Sequence, residues 1–379
     1  MAVTMWQGAL KIIAQESGLE PGEIIETEDT EFTALGINRI LATAILSHLR
    51  GPRGEALPHD IFDQKPTVGA FRRFYESPIV LNVTPGHGVG HTPSTRAKQS
   101  RAASSIPLSI VLQNTIASSC HTVFLLPDGS GSAMAYANLP PVHPSVCVVG
   151  MNSPYLRNTG AYRCSLEELA SQWVSEIYRR QPHGPYILGG WSAGGYYSYE
   201  VAKRLLRDGN VVEKLILIDS PCRTVFESLS MEVVQYLSSR NLMGNWGTQS
   251  PPDWLIEHFR STLTAVGNYR PLPLGSAGGM ETYIIWSRDG VLDDKTLANS
   301  GMDTTVKVSR FLLQGKDDLG PNGWEHLLPT KNMAIATQSG THFTMVNDPH
   351  VAQMSELLRD AVVGVSHERR SRWQYVDRN

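Results

Sequence analysis

Along the first 76 residues the apolar positions recur at helical spacing. Trp6, Ala9, Leu10, Ile12 and Ile13 keep one loose helical face, and Ile37, Ile40, Leu41, Ala44, Ile45 and Leu49 keep a clearer one. Pro66-Thr67-Val68 predicts the opening of a last short helix over residues 69–75. Between residues 77 and 105 the pattern dissolves into Pro, Gly, Ser, Thr and His with a basic run of Arg96, Lys98 and Arg101, which predicts a flexible linker. Past residue 106 short apolar runs take over. Strands are predicted over 122–126 (TVFLL), 146–149, 186–188, 215–218 (LILI), 282–286 (TYIIW) and 333–336. Amphipathic helices alternate with them over 166–180, 195–207 and 351–362. Apolar strands alternating with helices imply a parallel sheet covered on both faces, with reactive groups at the carboxyl ends of its strands. The predicted division is a helical domain over 1–76, a linker over 77–105, an α/β domain over 106–366 and a C-terminal tail over 367–379.

Composition narrows the function classes. The chain has 379 residues, of which 41% are hydrophobic, enough for one large core and one small one. A net charge of −3 creates no field that would favour nucleic acid or an anionic membrane. No apolar run reaches membrane-spanning length, and the N-terminal residues lack the basic and apolar regions of a secretion signal. Cys120, Cys147, Cys164 and Cys222 show no metal or redox spacing. The expectation is a cytoplasmic protein without metal, cofactor, nucleic-acid or membrane partner.

The candidate chemistry begins at Gly190-Trp191-Ser192-Ala193-Gly194, a G-x-S-x-G spacing placed where a strand runs into a helix. Asp219 ends the LILI strand, and His342 sits in the turn Gly340-Thr341-His342-Phe343. A serine hydroxyl needs a base to take its proton, and an imidazole needs a carboxylate to fix its tautomer. The order Ser…Asp…His is that of the α/β-hydrolase fold. Two backbone N–H groups would complete an oxyanion hole, those of Ala193 and of Gly129 in the turn after TVFLL. Asp289, after the TYIIW strand, is the rival acid. His121, His183, His258, His326 and His350 lack such a setting and read as structural. Trp191 and Tyr196 flank the serine as substrate contacts or as core. Trp246, Trp254 and Phe259 fall within 225–269, where this fold inserts a lid, and are candidates to line an acyl pocket.

From about residue 106 to 363 the chain resembles the thioesterase domain that ends fungal non-reducing polyketide synthases. The matching segments are FLLPDGSGSAMAYANLP, GGWSAGGYYSYEVAKRLL, LILIDSP, DDLGPNGWEHLL and GTHFTMV. The resemblance implies an α/β-hydrolase fold with a lid insertion, Ser192 as the acylated serine, Asp219 as the acid and His342 as the base. Residues 1–76 resemble an acyl carrier protein through LGINRILATAILSHLR and LPHDIFDQKPTVGAF. Carrier proteins attach phosphopantetheine to a serine in an Asp-Ser pair, where this chain has Asn38-Arg39. Such a unit is a vestige or a docking module, and no other serine there begins a helix. The expected activity is that of a stand-alone thioesterase acting in trans on a polyketide thioester held by the carrier domain of a separate synthase. Hydrolytic release is preferred, and Claisen cyclisation uses the same residues. A non-catalytic docking partner and a generic esterase are the alternatives.

Overall fold

The computed structural model describes residues 107–376 apart from 157, 244–252, 276–278 and 317–318, together with 5–17, 60–76 and isolated positions between 24 and 58. The predicted linker, Arg39 and Trp246 lie outside the described residues. Two compact units divide the chain, Met1–Ile106 and Pro107–Asn379.

In the first unit α1 (Met5–Ser17) buries Trp6, Ala9, Leu10, Ile13 and Ala14. That is the i, i+3, i+4, i+7 stripe the sequence predicts. A short α2 (Ile61–Gln64) leads into α3 (Val68–Glu76), which packs on α1. Phe32, Phe62 and Phe71 form an aromatic core, with ring centroids of Phe62 and Phe71 4.9 Å apart.

The second unit is built on one sheet. Its strands are β1 (Ser109–Gln113), β2 (His121–Leu126), β3 (Val146–Met151), β4 (Tyr186–Trp191), β5 (Val212–Ile218), β6 (Glu281–Ser287), β7 (Met333–Gln338) and β8 (Gln374–Tyr375). They lie in the order β1-β3-β2-β4-β5-β6-β7-β8. β2 to β7 pair in parallel, while β1 and β8 close the two edges antiparallel. The helices are α4 (Leu166–Arg180), α5 (Ala193–Arg207), α6 (Met231–Ser239), α7 (Asp253–Asn268), α8 (Asp294–Ala298), α9 (Lys307–Leu313) and α10 (Val351–Val363).

Alternation along the strands separates two buried layers. Phe124, Leu126, Leu188, Leu215, Leu217, Ile284 and Trp286 join the core beneath α4 and α5, which pack on each other. α10 packs on β2, β5 and β7, so apolar residues are needed on both sheet faces. α4 starts with a capping box, Ser165 bonding the Glu168 N–H and Glu168 bonding back, as its sequence S-L-E-E favours.

Strand order also places the site. β2 steps to β3 on one side, and β3 returns across β2 to β4 on the other. The loops after β2 and β4 therefore diverge around a crevice at their carboxyl ends, the switch point where such sheets bind ligands. α6 and α7 rise between β5 and β6 as the insertion. This is an α/β-hydrolase fold, with its sheet edges antiparallel where a wholly parallel sheet was predicted.

Residues 367–379 are predicted as a tail, yet β8 lies there and pairs with β7 at Ala334 and Ile335. Trp373 is 4% exposed and packs edge-on to Tyr283, ring centroids 5.0 Å apart. Two strand residues carry too little periodicity to be read, and the anchoring tryptophan is a long-range contact. Trp373→Ala should cost about 3 kcal/mol of stability. A urea midpoint equal to that of the unsubstituted protein would show that the segment contributes nothing to the fold.

Candidate active site

β4 ends at Trp191 and α5 begins at Ala193, leaving Ser192 to make the whole turn. Its backbone adopts φ 58° and ψ −122°, a strained conformation for a residue with a side chain. The glycines around it are required by packing. A Cβ on Gly190 would fall on the Gly194 carbonyl, and one on Gly194 would lie 2.5 Å from the Leu126 carbonyl oxygen. The elbow is thereby pressed against the end of β2, where the loop with Gly129 begins. Ser192 N–H donates to Ile218 O at 2.9 Å, so the serine is tied to the strand that ends in Asp219.

The structure brings the three predicted side chains together. His342 Nε2 lies 3.0 Å from Ser192 Oγ, and His342 Nδ1 lies 2.8 Å from Asp219 Oδ2. Asp219, when ionised, can only accept, so the proton sits on Nδ1 and Nε2 is left to accept from the serine hydroxyl. Asp219 is fully buried, with φ 45°. Besides the histidine it accepts from Ser287 N–H at 2.9 Å, Ser287 Oγ at 2.9 Å and Lys316 Nζ at 2.6 Å. Burial alone would raise its pKa, but the Lys316 charge and the His342 bond outweigh burial and hold the carboxyl well below the usual range.

The rival acid has a different place. Asp289 Oδ2 accepts the Gly340 N–H at 2.8 Å and Asp289 N–H donates to Gly340 O, so it clamps the turn that presents His342. Trp191 supports the same residue from below: its Nε1–H donates to His342 O at 3.1 Å, with the two rings 5.3 Å apart. Of its two predicted roles, Trp191 therefore takes the packed one. Tyr196 does too, buried with its hydroxyl on Pro221 O at 2.8 Å.

The two residues expected to supply oxyanion donors lie on different elements that meet near this corner. Ala193 opens α5, where the helix end leaves N–H groups without intrahelical partners. Gly129 lies in the loop after β2, and Tyr136 ties that loop to the elbow. Its hydroxyl donates to Leu126 O at 2.6 Å and accepts Trp191 N–H at 2.8 Å. From above, α7 seats on the loop. His258 Nδ1 donates to Gly129 O at 3.0 Å, and Thr262 Oγ1 donates to it at 3.2 Å. A Cβ on Gly129 would lie 2.6 Å from the Phe259 ring, so Phe259 covers the loop from the insertion. Burial pushes the His258 imidazole down to about 4, which keeps it neutral.

Lys316, Ser287 and Tyr136 escape sequence reading. Nothing local marks Lys316, which follows α9 in a glycine-flanked stretch, and Ser287 and Tyr136 acquire their roles only through strand pairing. Among the described residues no cluster of His, Cys, Asp and Glu has the geometry to hold a metal ion, and no helix is long and apolar enough to cross a membrane.

Asp128, in the same loop as Gly129, generates a stability prediction. Burial raises its carboxyl to about 6, only partly offset by bonds from Ser130 N–H and Oγ. A carboxyl raised in the folded state binds its proton more tightly there than in the unfolded chain. Stability therefore falls as pH rises from about 4 through 6, by roughly 3 kcal/mol in all. Asp128→Asn keeps an acceptor oxygen and has no charge to bury. Its melting temperature should exceed that of the unsubstituted protein at pH 8 and match it near pH 4. An equal difference at both pH values would refute the assignment.

The fold and geometry have counterparts among known proteins. A family model for the thioesterase domain matches residues 121–360. The chain is 35% identical over 381 residues to the non-reducing polyketide synthase terA of Aspergillus terreus, covering 94% of this chain and 18% of that protein. It is 38% identical over 344 residues to polyketide synthase 1 of Metarhizium anisopliae, covering 88% of this chain and 15% of that one. The chain thus spans less than a fifth of the length of the curated relatives it matches. Among solved structures, the four-domain nonribosomal peptide synthetase holo-AB3403 bound to AMP and glycine aligns with a TM-score of 0.55 at 18% identity, over 87% of this chain and 24% of that one, a likeness of fold. Matched over well over half of its residues, and similar along most of them to polyketide synthases of fungi, the chain belongs to the thioesterase domain family.

Proposed function

We propose that this protein releases a polyketide from a carrier-bound thioester through an acyl-enzyme on Ser192. The observation that carries the reading is the hydrogen-bonded chain from Ser192 through His342 to Asp219 at the ends of β4, β7 and β5. His342 Nε2 takes the serine proton as Oγ attacks the thioester carbon, and Asp219 stabilises the imidazolium that forms. The N–H groups of Ala193 and Gly129 receive the charge that develops on the carbonyl oxygen. As the carbon–sulfur bond breaks, the imidazolium returns its proton to the sulfur. In the second half His342 activates water, and a free acid leaves. If an enolic carbon of the same chain attacks instead, the product is a Claisen ring, made by the same residues. Hydrolysis is the outcome put forward here.

The acyl chain is proposed to arrive in the cytosol on the carrier domain of a separate polyketide synthase. The support is chemical: Arg39 has no hydroxyl to carry a phosphopantetheine arm, so the N-terminal unit serves docking or nothing. A short polyketide-like N-acetylcysteamine thioester, followed by intact-protein mass spectrometry, tests the core of the reading. The unsubstituted protein should turn over, His342→Ala should slow the reaction or trap the adduct, and Ser192→Ala should form none. Asp219→Asn should lose about 10³–10⁴-fold in kcat, while Asp289→Asn keeps most of it. The released mass separates acid from ring, and a loaded carrier domain supplied in trans tests delivery. Absence of acylation with every thioester and carrier tried would favour a non-catalytic docking role.

A further inference from the structure

We propose that Lys316 is a positioning residue of this relay, one that acts through Asp219 to weaken the grip of the relay on the proton of His342. The inference rests on the reading of Ser192, His342 and Asp219 given above. Lys316 is 3% exposed by its side chain, which is rare for an ammonium group. Its Nζ lies 2.6 Å from Asp219 Oδ1 and 2.6 Å from Ser287 Oγ, and 3.9 Å from the Phe311 ring centroid on α9. Asp219 Oδ2, the other oxygen, faces His342. The carboxylate is thus held between two nitrogens, the Lys316 ammonium on Oδ1 and the His342 imidazole on Oδ2.

Hydrogen bonding alone does not account for the lysine. Asp219 already receives the N–H and the hydroxyl of Ser287 and the Nδ1–H of His342. What Lys316 adds is charge, at the cost of desolvating an ammonium, and buried ion pairs of this kind contribute little net stability. Lys316 itself is pulled down by burial and partly held up by Asp219. The other charged group acting on it is Asp289, whose carboxylate is engaged with the Gly340 N–H. Among the described residues Ser192, Trp191 and Phe343 contact the His342 ring and are neutral, and the charge facing it is that of Asp219 with Lys316 behind.

A carboxylate without the lysine would present a full negative charge to the imidazole and favour its protonated form. With the lysine the pair is neutral, and that pull on the imidazole is weakened. Such a relay suits a thioester. The leaving thiolate is a weak base, its thiol having a pKa of about 8.5, so the proton passes to sulfur most readily from an imidazolium that is not held tightly.

The test is kcat/KM against pH, on the N-acetylcysteamine thioester, for the unsubstituted protein and for Lys316→Met, Lys316→Gln and Lys316→Arg. Both neutral variants should move the acid limb upward by about one pH unit or more, and Lys316→Arg should restore it. At a pH two units below the new limb that is about a tenfold loss against the unsubstituted protein, vanishing at alkaline pH. A uniform loss with the limb unmoved would overturn the proposal. So would failure of both neutral variants to fold while Lys316→Arg folds and keeps the limb, since the lysine would then be structural. Turnover by Ser192→Ala in the same assay would instead refute the acyl-enzyme reading, independently of where the limb lies.

Discussion

A fully buried carboxylate cannot be left alone, and the carboxyl end of this sheet is arranged around that requirement. Asp219 accepts four donors, two on each oxygen, from β6, from the stretch after α9 and from the turn after β7. Removing any one partner leaves charge uncompensated in a site without water-like screening. Strand register meets this demand. Ile218 lies opposite Ile285, and Ser287 opposite Gln338, so the three strand ends reach the same depth. A slip of one residue along β5 would turn Asp219 to the other face of the sheet and break the relay at its root.

The serine side is held by sterics where the acid side is held by charge. Gly190 and Gly194 let β4 and α5 approach until only backbone separates them, and the Leu126 carbonyl fills the space beside Gly194. Tyr136 then locks the end of β2 to the end of β4 through one hydroxyl. The strained angles at Ser192 persist because these contacts over-determine them. Ser192 and the loop carrying Gly129 consequently share a single corner that packing holds in place.

Much of this was legible in the chain, for local reasons. Six strands and three helices of the sheet unit, α4, α5 and α10, were readable because a buried strand is a short apolar run and an amphipathic helix has a fixed period. Ser192 was visible through its glycines, and Asp219 and His342 because each follows a strand. Less was readable where position depends on distant partners. β1 (SIVLQ) is a partly buried edge strand beside a polar stretch, and β8 has two residues, so neither repeats long enough to signal. Lys316 illustrates the limit most plainly. Its neighbours at 317–328 carry a recognisable motif, yet nothing in a lone lysine announces a carboxylate 97 positions upstream.

The seating of α7 on the loop after β2 has a consequence for anyone exchanging pieces between relatives of this protein. His258, Phe259 and Thr262 contact glycine backbone at 129 and 131 with no room for a side chain, and Gly131 also sits at φ 78°. The insertion and the loop are therefore one transplantable module, though the chain separates them by more than a hundred residues. A chimera that imports the insertion alone would set foreign side chains against a surface cut for these three. The loop spanning Asp128 to Gly131 has to travel with it.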